Sequence, residues 1–110
     1  MEQSSENLFE QAVNAAGLIE YQTGSVVSKT LIKKSTGTVT LFAFDAGEGL
    51  SEHTAPFDAL VLLLDGSAEI TIGSTPSIVK NGELIIMPAN IPHSLRVQER
   101  CKMMLIMVRG

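Results

Sequence analysis

The stretch GEGLSEHTAPFDALVLLLDG, Gly47 to Gly66, decides how this chain folds. It opens on a glycine turn and closes on an Asp-Gly pair. Between them the apolar run Ala59 to Leu64 is too short for a core helix and suits a buried strand. Five residues separate Gly47 from His53, and Gly66 lies thirteen positions beyond His53. Ala55 and Ala59 share the parity of His53, so on extended backbone all three face the same way.

The same punctuation continues outward. Turn signals recur at "TGS" 23, "STG" 35, "GSTP" 73 and "NG" 81, separating short runs rich in Val, Ile, Leu, Thr and Phe: "TVTLFAF", "AEITI", "ELIIM" and "KMMLIMV". Asp-Gly and Asn-Gly supply the positive φ angles of tight turns and are read here as hairpins. This pattern predicts an all-β sandwich or small antiparallel barrel. One segment has helical spacing instead: Leu8, Phe9, Ala12, Val13 and Ala16 form a stripe, with Ser4 or Ser5 as N-cap and Gly17 at the end. The expected organisation is one domain over residues 1–110, with a short N-terminal helical segment at 1–18 and a barrel at 25–108.

Composition narrows the function. The chain has 110 residues, enough for one core, and 45% of them are hydrophobic. A net charge of -4, with Lys33 and Lys34 the only basic pair, argues against a nucleic-acid partner. No apolar run approaches the roughly 20 residues that cross a bilayer. "MEQSSEN" lacks the basic and apolar regions of a secretory signal, so a cytoplasmic location is expected, and the single Cys101 agrees with a reducing compartment. Cys101 reads as a small buried hydrophobe, and Met103, Met104 and Met107 as core filling rather than a thioether metal site. Phe42, Phe44 and Phe57 read as core or pocket wall. No phosphate loop, nucleophile elbow, CxxC or HExxH occurs.

A second stretch, GELIIMPANIPHSLRV from Gly82 to Val97, places Pro88 after five residues and His93 five positions later. Together the two stretches resemble the cupin superfamily, whose first motif runs glycine, five residues, His-x-His, three or four residues, glutamate, six residues, glycine. Its second runs glycine, five residues, Pro-x-Gly, two residues, histidine, three residues, asparagine. The resemblance covers roughly Val39 to Val108 and implies an all-β cupin jelly roll (double-stranded β-helix). Carried over position by position, His53 matches the first histidine and His93 the second-motif histidine. Ala55 stands at the second histidine, Ala59 at the glutamate, Asn90 at the glycine and Val97 at the asparagine.

The resemblance therefore implies a degenerate metal site with His53 and His93 as its remaining ligands, in a pocket formed by His53, Ala55, Ala59, His93 and Leu95. The loss of a histidine and a glutamate is expected to enlarge that pocket. Two imidazoles alone hold a divalent ion (Zn, Ni, Mn or Fe) weakly and at low occupancy. Asp58, Glu52 and Glu48 are the nearest carboxylates for a third ligand, Asp58 and Glu52 requiring a bulge near Pro56 to reverse their parity. Two functions follow: a small-molecule-binding cupin without turnover, or a metal-dependent dioxygenase or isomerase that finds a third ligand. Finally, Leu60, Leu62 and Leu64 are as apolar as Ala59, Val61 and Leu63 on the opposite face, and "KMMLIMV" repeats that symmetry. A strand apolar on both sides needs both sides covered, which predicts a homodimer through an outer sheet face.

Overall fold

The computed structural model describes residues 7–110. Among the described residues nine strands follow one 3-10 turn at Ala15–Leu18: β1 (Val26–Lys34), β2 (Gly37–Phe44), β3 (Gly49–His53), β4 (Asp58–Asp65), β5 (Ser67–Ile72), β6 (Thr75–Lys80), β7 (Leu84–Met87), β8 (His93–Arg96) and β9 (Cys101–Val108). They form two sheets, ordered β1-β2-β9-β4-β7 and β3-β8-β5-β6, and every pairing is antiparallel. This is the jelly-roll arrangement expected from the sequence, built as two facing sheets rather than one closed hydrogen-bonded ring.

The core lies between the sheets, and strict alternation puts it there. Along β4 the residues Ala59, Val61 and Leu63 are buried, while Leu60, Leu62 and Leu64 are only partly covered. Cys101 and Met103 of β9, Phe44 of β2 and Ile70 of β5 complete the fully enclosed part. Burial pushes the Cys101 thiol up to about 12, with Asp65 adding to the shift. It is an inert small hydrophobe in this setting.

Two expectations change. The Asp65-Gly66 and Asn81-Gly82 turns are not hairpins: β4 and β5 belong to different sheets, as do β6 and β7, so each turn carries the chain across the sandwich. Gly66, at φ 80°, passes so close to the Arg100 carbonyl that a Cβ would collide with it. The local hairpins are instead β1–β2 through Ser35-Thr36 and β5–β6 through Gly73-Ser74.

The N-terminal helix is also corrected. Its proposed caps Ser4 and Ser5 lie outside the described residues, and the stripe from Leu8 to Val13 is not helical. Glu10 takes a left-handed φ of 63°, and Phe9 is 76% exposed. An isolated helix this short is marginal, and Phe9, Ala12 and Val13 of its stripe stay exposed, so tertiary packing does not rescue it. Only the last turn survives, where Asn14 accepts from the Gly17 amide through its side chain and initiates the 3-10 turn.

The following segment is held tightly. Leu18, Ile19 and Tyr21 pack on Leu41, Ala43, Leu64 and Met104, covering part of the outer face of the five-stranded sheet. Lys102 donates to the Ala16 carbonyl at 2.7 Å and Tyr21 to Asp65 at 2.6 Å. No helix among the described residues is long and apolar enough to cross a membrane.

Candidate functional site

His53 ends β3 and His93 begins β8, and the two are direct partners across the ladder. Directly opposed residues share a face of the sheet, so the pairing alone brings the rings together. Their Nε2 atoms meet at 3.2 Å, with ring centroids 4.4 Å apart and planes at 71°. His53 is exposed at the mouth, whereas His93 is only 8% accessible.

The backbone fixes what those nitrogens offer. His53 Nδ1 lies 2.9 Å from the Ser51 carbonyl and His93 Nδ1 3.2 Å from the Ile91 carbonyl. A carbonyl oxygen only accepts, so each Nδ1 carries the hydrogen and donates it. In two neutral rings each Nε2 is then a bare lone pair facing the other. That contact is repulsive unless a proton, a hydrogen-bond donor or a metal ion stands between them. Burial lowers the pKa of His93 below its usual value; the Ile91 carbonyl opposes this, and charge on His53 adds to the lowering.

Around the pair, the five residues His53, Ala55, Ala59, His93 and Leu95 line one cavity between the sheets. Other walls are Phe42, Val61, Met87, Met103, Leu105 and Met107. The lining is apolar apart from the histidines and Ser94, and the cavity holds about 50 Å³. It is thus not the enlarged space expected from two alanine positions, because thioether and phenyl side chains occupy the room. Ala59 has Met87 as its partner on β7 and Met107 on β9. Two sulfur-bearing chains therefore flank the position where the cupin motif has glutamate. Met103 and Met107 follow from the alternation in "KMMLIMV", but nothing in the sequence singles out Met87 beyond its place in "ELIIM".

The carboxylates point elsewhere. Asp58 Oδ1 accepts from the Ala89 backbone N–H at 2.9 Å, and the Asn90 backbone N–H donates to the Ala55 carbonyl at 2.8 Å. These two bonds staple the first motif's loop to the second motif's turn. Asn90 sits at φ 65°, the left-handed angle expected for a stand-in for glycine. Glu48 and Glu52 do not line the cavity. Among the described residues no three His, Cys, Asp or Glu side chains come together as a metal site. The two histidines and two alanines therefore do not fit the four-ligand divalent centre that the motif spacing implies. A larger depression of about 640 Å³ beside β1 is an open groove lined by Leu8, Phe9, Val13, Leu18 and Leu31 together with the polar Asn7, Ser28, Lys29 and Thr30.

Residues 40–109 match the family model of the cupin domain. The fold is similar to a conserved protein of unknown function from Streptococcus pyogenes, with 33% identity, a TM-score of 0.88, and coverage of 92% of this chain and 89% of that one. A cupin superfamily protein from Desulfitobacterium hafniense gives 30% identity and a TM-score of 0.87, covering 92% and 93%. A cupin 2 conserved barrel domain protein from Leptotrichia buccalis gives 45% identity and a TM-score of 0.83 over 86% of this chain and 46% of that one. No curated protein matches the sequence.

Proposed function

The chain belongs to the cupin family, and from that premise we propose that it is a small-molecule-binding cupin whose ligand places a polar group on the His53–His93 pair. The observation that carries this reading is the 3.2 Å approach of two Nε2 atoms in an otherwise apolar cavity. An apolar pocket with a few convergent polar groups is the usual form of a small-molecule site. A carboxylic acid suits this one: its proton can pass to the imidazole pair, leaving a carboxylate beside a shared cation, with a short hydrocarbon part against Leu95 and the methionines. With about 50 Å³ available, the occupant is small or enters by displacing a methionine side chain.

Divalent Zn, Ni, Mn or Fe would have only His53 and His93 as protein ligands and be bound weakly. The alternative, a metal-dependent dioxygenase or isomerase, needs a third ligand. Asp58 is the nearest candidate in the first motif, and one of its oxygens is spent on Ala89. The chain is read as cytoplasmic and homodimeric. The dimer reading is supported by an aliphatic row, Ile32–Val39–Ile106–Leu60–Ile86, across five successive strands. Ile32 and Ile86 are 45% and 57% exposed, and no residue of the row belongs to either packed cluster.

A thermal-shift series of small carboxylic acids at pH 6 and pH 8 tests the pocket. Stabilisation at pH 6 that disappears in His53→Ala supports the reading. Stabilisation unchanged by that substitution, or none with any acid, overturns it.

A further inference from the structure

We propose that the pocket is a site for a soft monovalent metal ion, Cu(I), held by His53 Nε2 and His93 Nε2 with thioether sulfur from Met87 and Met107. Two opposed nitrogen lone pairs form the base of the site. Both rings keep their hydrogen on Nδ1, so both Nε2 atoms are ready to ligate without releasing a proton. With metal–nitrogen bonds of about 2.0 Å, a 3.2 Å separation sets a nitrogen–metal–nitrogen angle of roughly 105°. A two-coordinate linear centre would need the nitrogens about 4 Å apart at the same bond length. The angle is bent, and a bent pair leaves room for further donors on its open side.

Methionines, among them Met107, which the sequence reads as core filling, line the same cavity. Met87 and Met107 are the direct neighbours of Ala59 on its two flanking strands, so all three share one face, and both methionines line the cavity with the histidines. A small residue at 59 leaves the two thioethers adjacent to the vacancy. Imidazole alone serves Zn, Ni and Fe as well as copper, and it is the thioether sulfur that favours Cu(I), while Mg, Ca and Mn favour oxygen donors.

Charge points the same way. Every donor in this set is neutral, and none of Asp58, Glu48 and Glu52 lines the cavity. The cost of moving an ion out of water rises with the square of its charge. A dication would keep both charges uncompensated in an apolar cavity, whereas a monovalent ion keeps one. The alanine that removes the carboxylate and the methionines beside it therefore act together against divalent metal and in favour of a soft monocation.

This inference rests on the same His53–His93 pocket as the preceding reading. The test is anaerobic titration of the full chain with Cu(I) in competition with the chromogenic chelator bicinchoninate, beside Zn(II) and Mn(II) titrations followed by melting temperature. One Cu(I) per chain is expected, with competition abolished in His53→Ala and weakened at least tenfold in Met87→Leu with Met107→Leu. X-ray absorption at the copper edge should show sulfur beside nitrogen in the unmodified protein, which keeps the test open even if the methionine variant folds poorly. Nitrogen and oxygen ligands alone, undiminished Cu(I) affinity in a folded methionine variant, or Zn(II) stabilising as much as Cu(I) would overturn the site. Stabilisation by acids without Cu(I) uptake overturns this inference alone; Cu(I) uptake without stabilisation by acids overturns only the preceding one.

Discussion

The two faces of the five-stranded sheet are equally greasy and unequally used. On β4 and β9 the inner positions Ala59, Val61, Leu63, Met103 and Met107 meet the second sheet or the cavity. The outer positions Leu60, Leu62 and Ile106 meet neither that core nor the N-terminal segment. Composition is the same on both sides, so hydrophobicity does not say which side is the core. Opposing structure does. The inner face has a partner sheet, part of the outer face has Leu18, Ile19 and Tyr21, and the remaining row has no cover among the described residues.

Substitutions on β4 alone separate the covered face from the bare one. Leu63→Ala, at a fully enclosed site, should cost about 2–5 kcal/mol in urea unfolding. Leu62→Ala, one residue away on the outer face, should cost less than about 1 kcal/mol if the face is free in solution, in keeping with the small effects of surface changes. An equally large loss that grows with protein concentration would place Leu62 inside an interface. Ile106→Lys sharpens the point: sedimentation should move from dimer to monomer at tens of micromolar, and a monomer before substitution would discard the homodimer.

Next in size is a change at the cavity end of the inner face. Ala55→His with Ala59→Glu restores the residue types of the cupin motif around His53 and His93. Because Met87 and Met107 crowd position 59, the metal-free variant should be destabilised by about 1–3 kcal/mol through overpacking. Added Zn(II) or Mn(II) at a hundredfold its dissociation constant should return about 2.7 kcal/mol. Absence of any divalent-metal effect on the melting temperature of a folded variant would show that positions 55 and 59 do not converge on the histidines.

The smallest expected effect is on pH. Burial holds the His93 pKa below its unfolded value of 6.5, so the unfolded chain binds more protons between the two values. His93 therefore contributes stability that is fully present above pH 6.5 and is lost as pH falls through its folded value. The slope cannot exceed about 1.4 kcal/mol per pH unit for one proton. Urea midpoints between pH 7.5 and 5.5 should fall in the unmodified protein and fall less in His93→Gln; parallel curves would count against the buried neutral ring.

Much of this was legible in the sequence because it is written in local chemistry. Gly47, Gly66 and Gly82 all take positive φ, and Asn90 takes the left-handed angle its position demands. Motif spacing brought His53 and His93 into one cavity with Ala55, Ala59 and Leu95. What escaped depends on distant partners. A two-residue Asp-Gly turn looks the same whether it folds a strand back on its neighbour or sends it to the other sheet. The Leu8–Val13 stripe has helical period, but Phe9, Ala12 and Val13 stay exposed. The methionines at the site of the absent carboxylate come from two strands that sequence order keeps twenty residues apart, so their meeting at Ala59 is a fact of register alone.

Strand order also sets the timing of assembly during synthesis. β9 is the central strand of its sheet, yet of the nine strands it leaves the ribosome last, about 64 residues after its partner β2. At about 5–20 residues per second, β2 and β4 each wait for seconds with a bare edge where β9 will dock. Both edges are aliphatic, Leu41 and Val39 on one, Leu60 and Leu62 on the other. The nascent chain thus presents an open slot that any extended apolar peptide fits, and correct folding is a race between the chain's own last strand and an intruder.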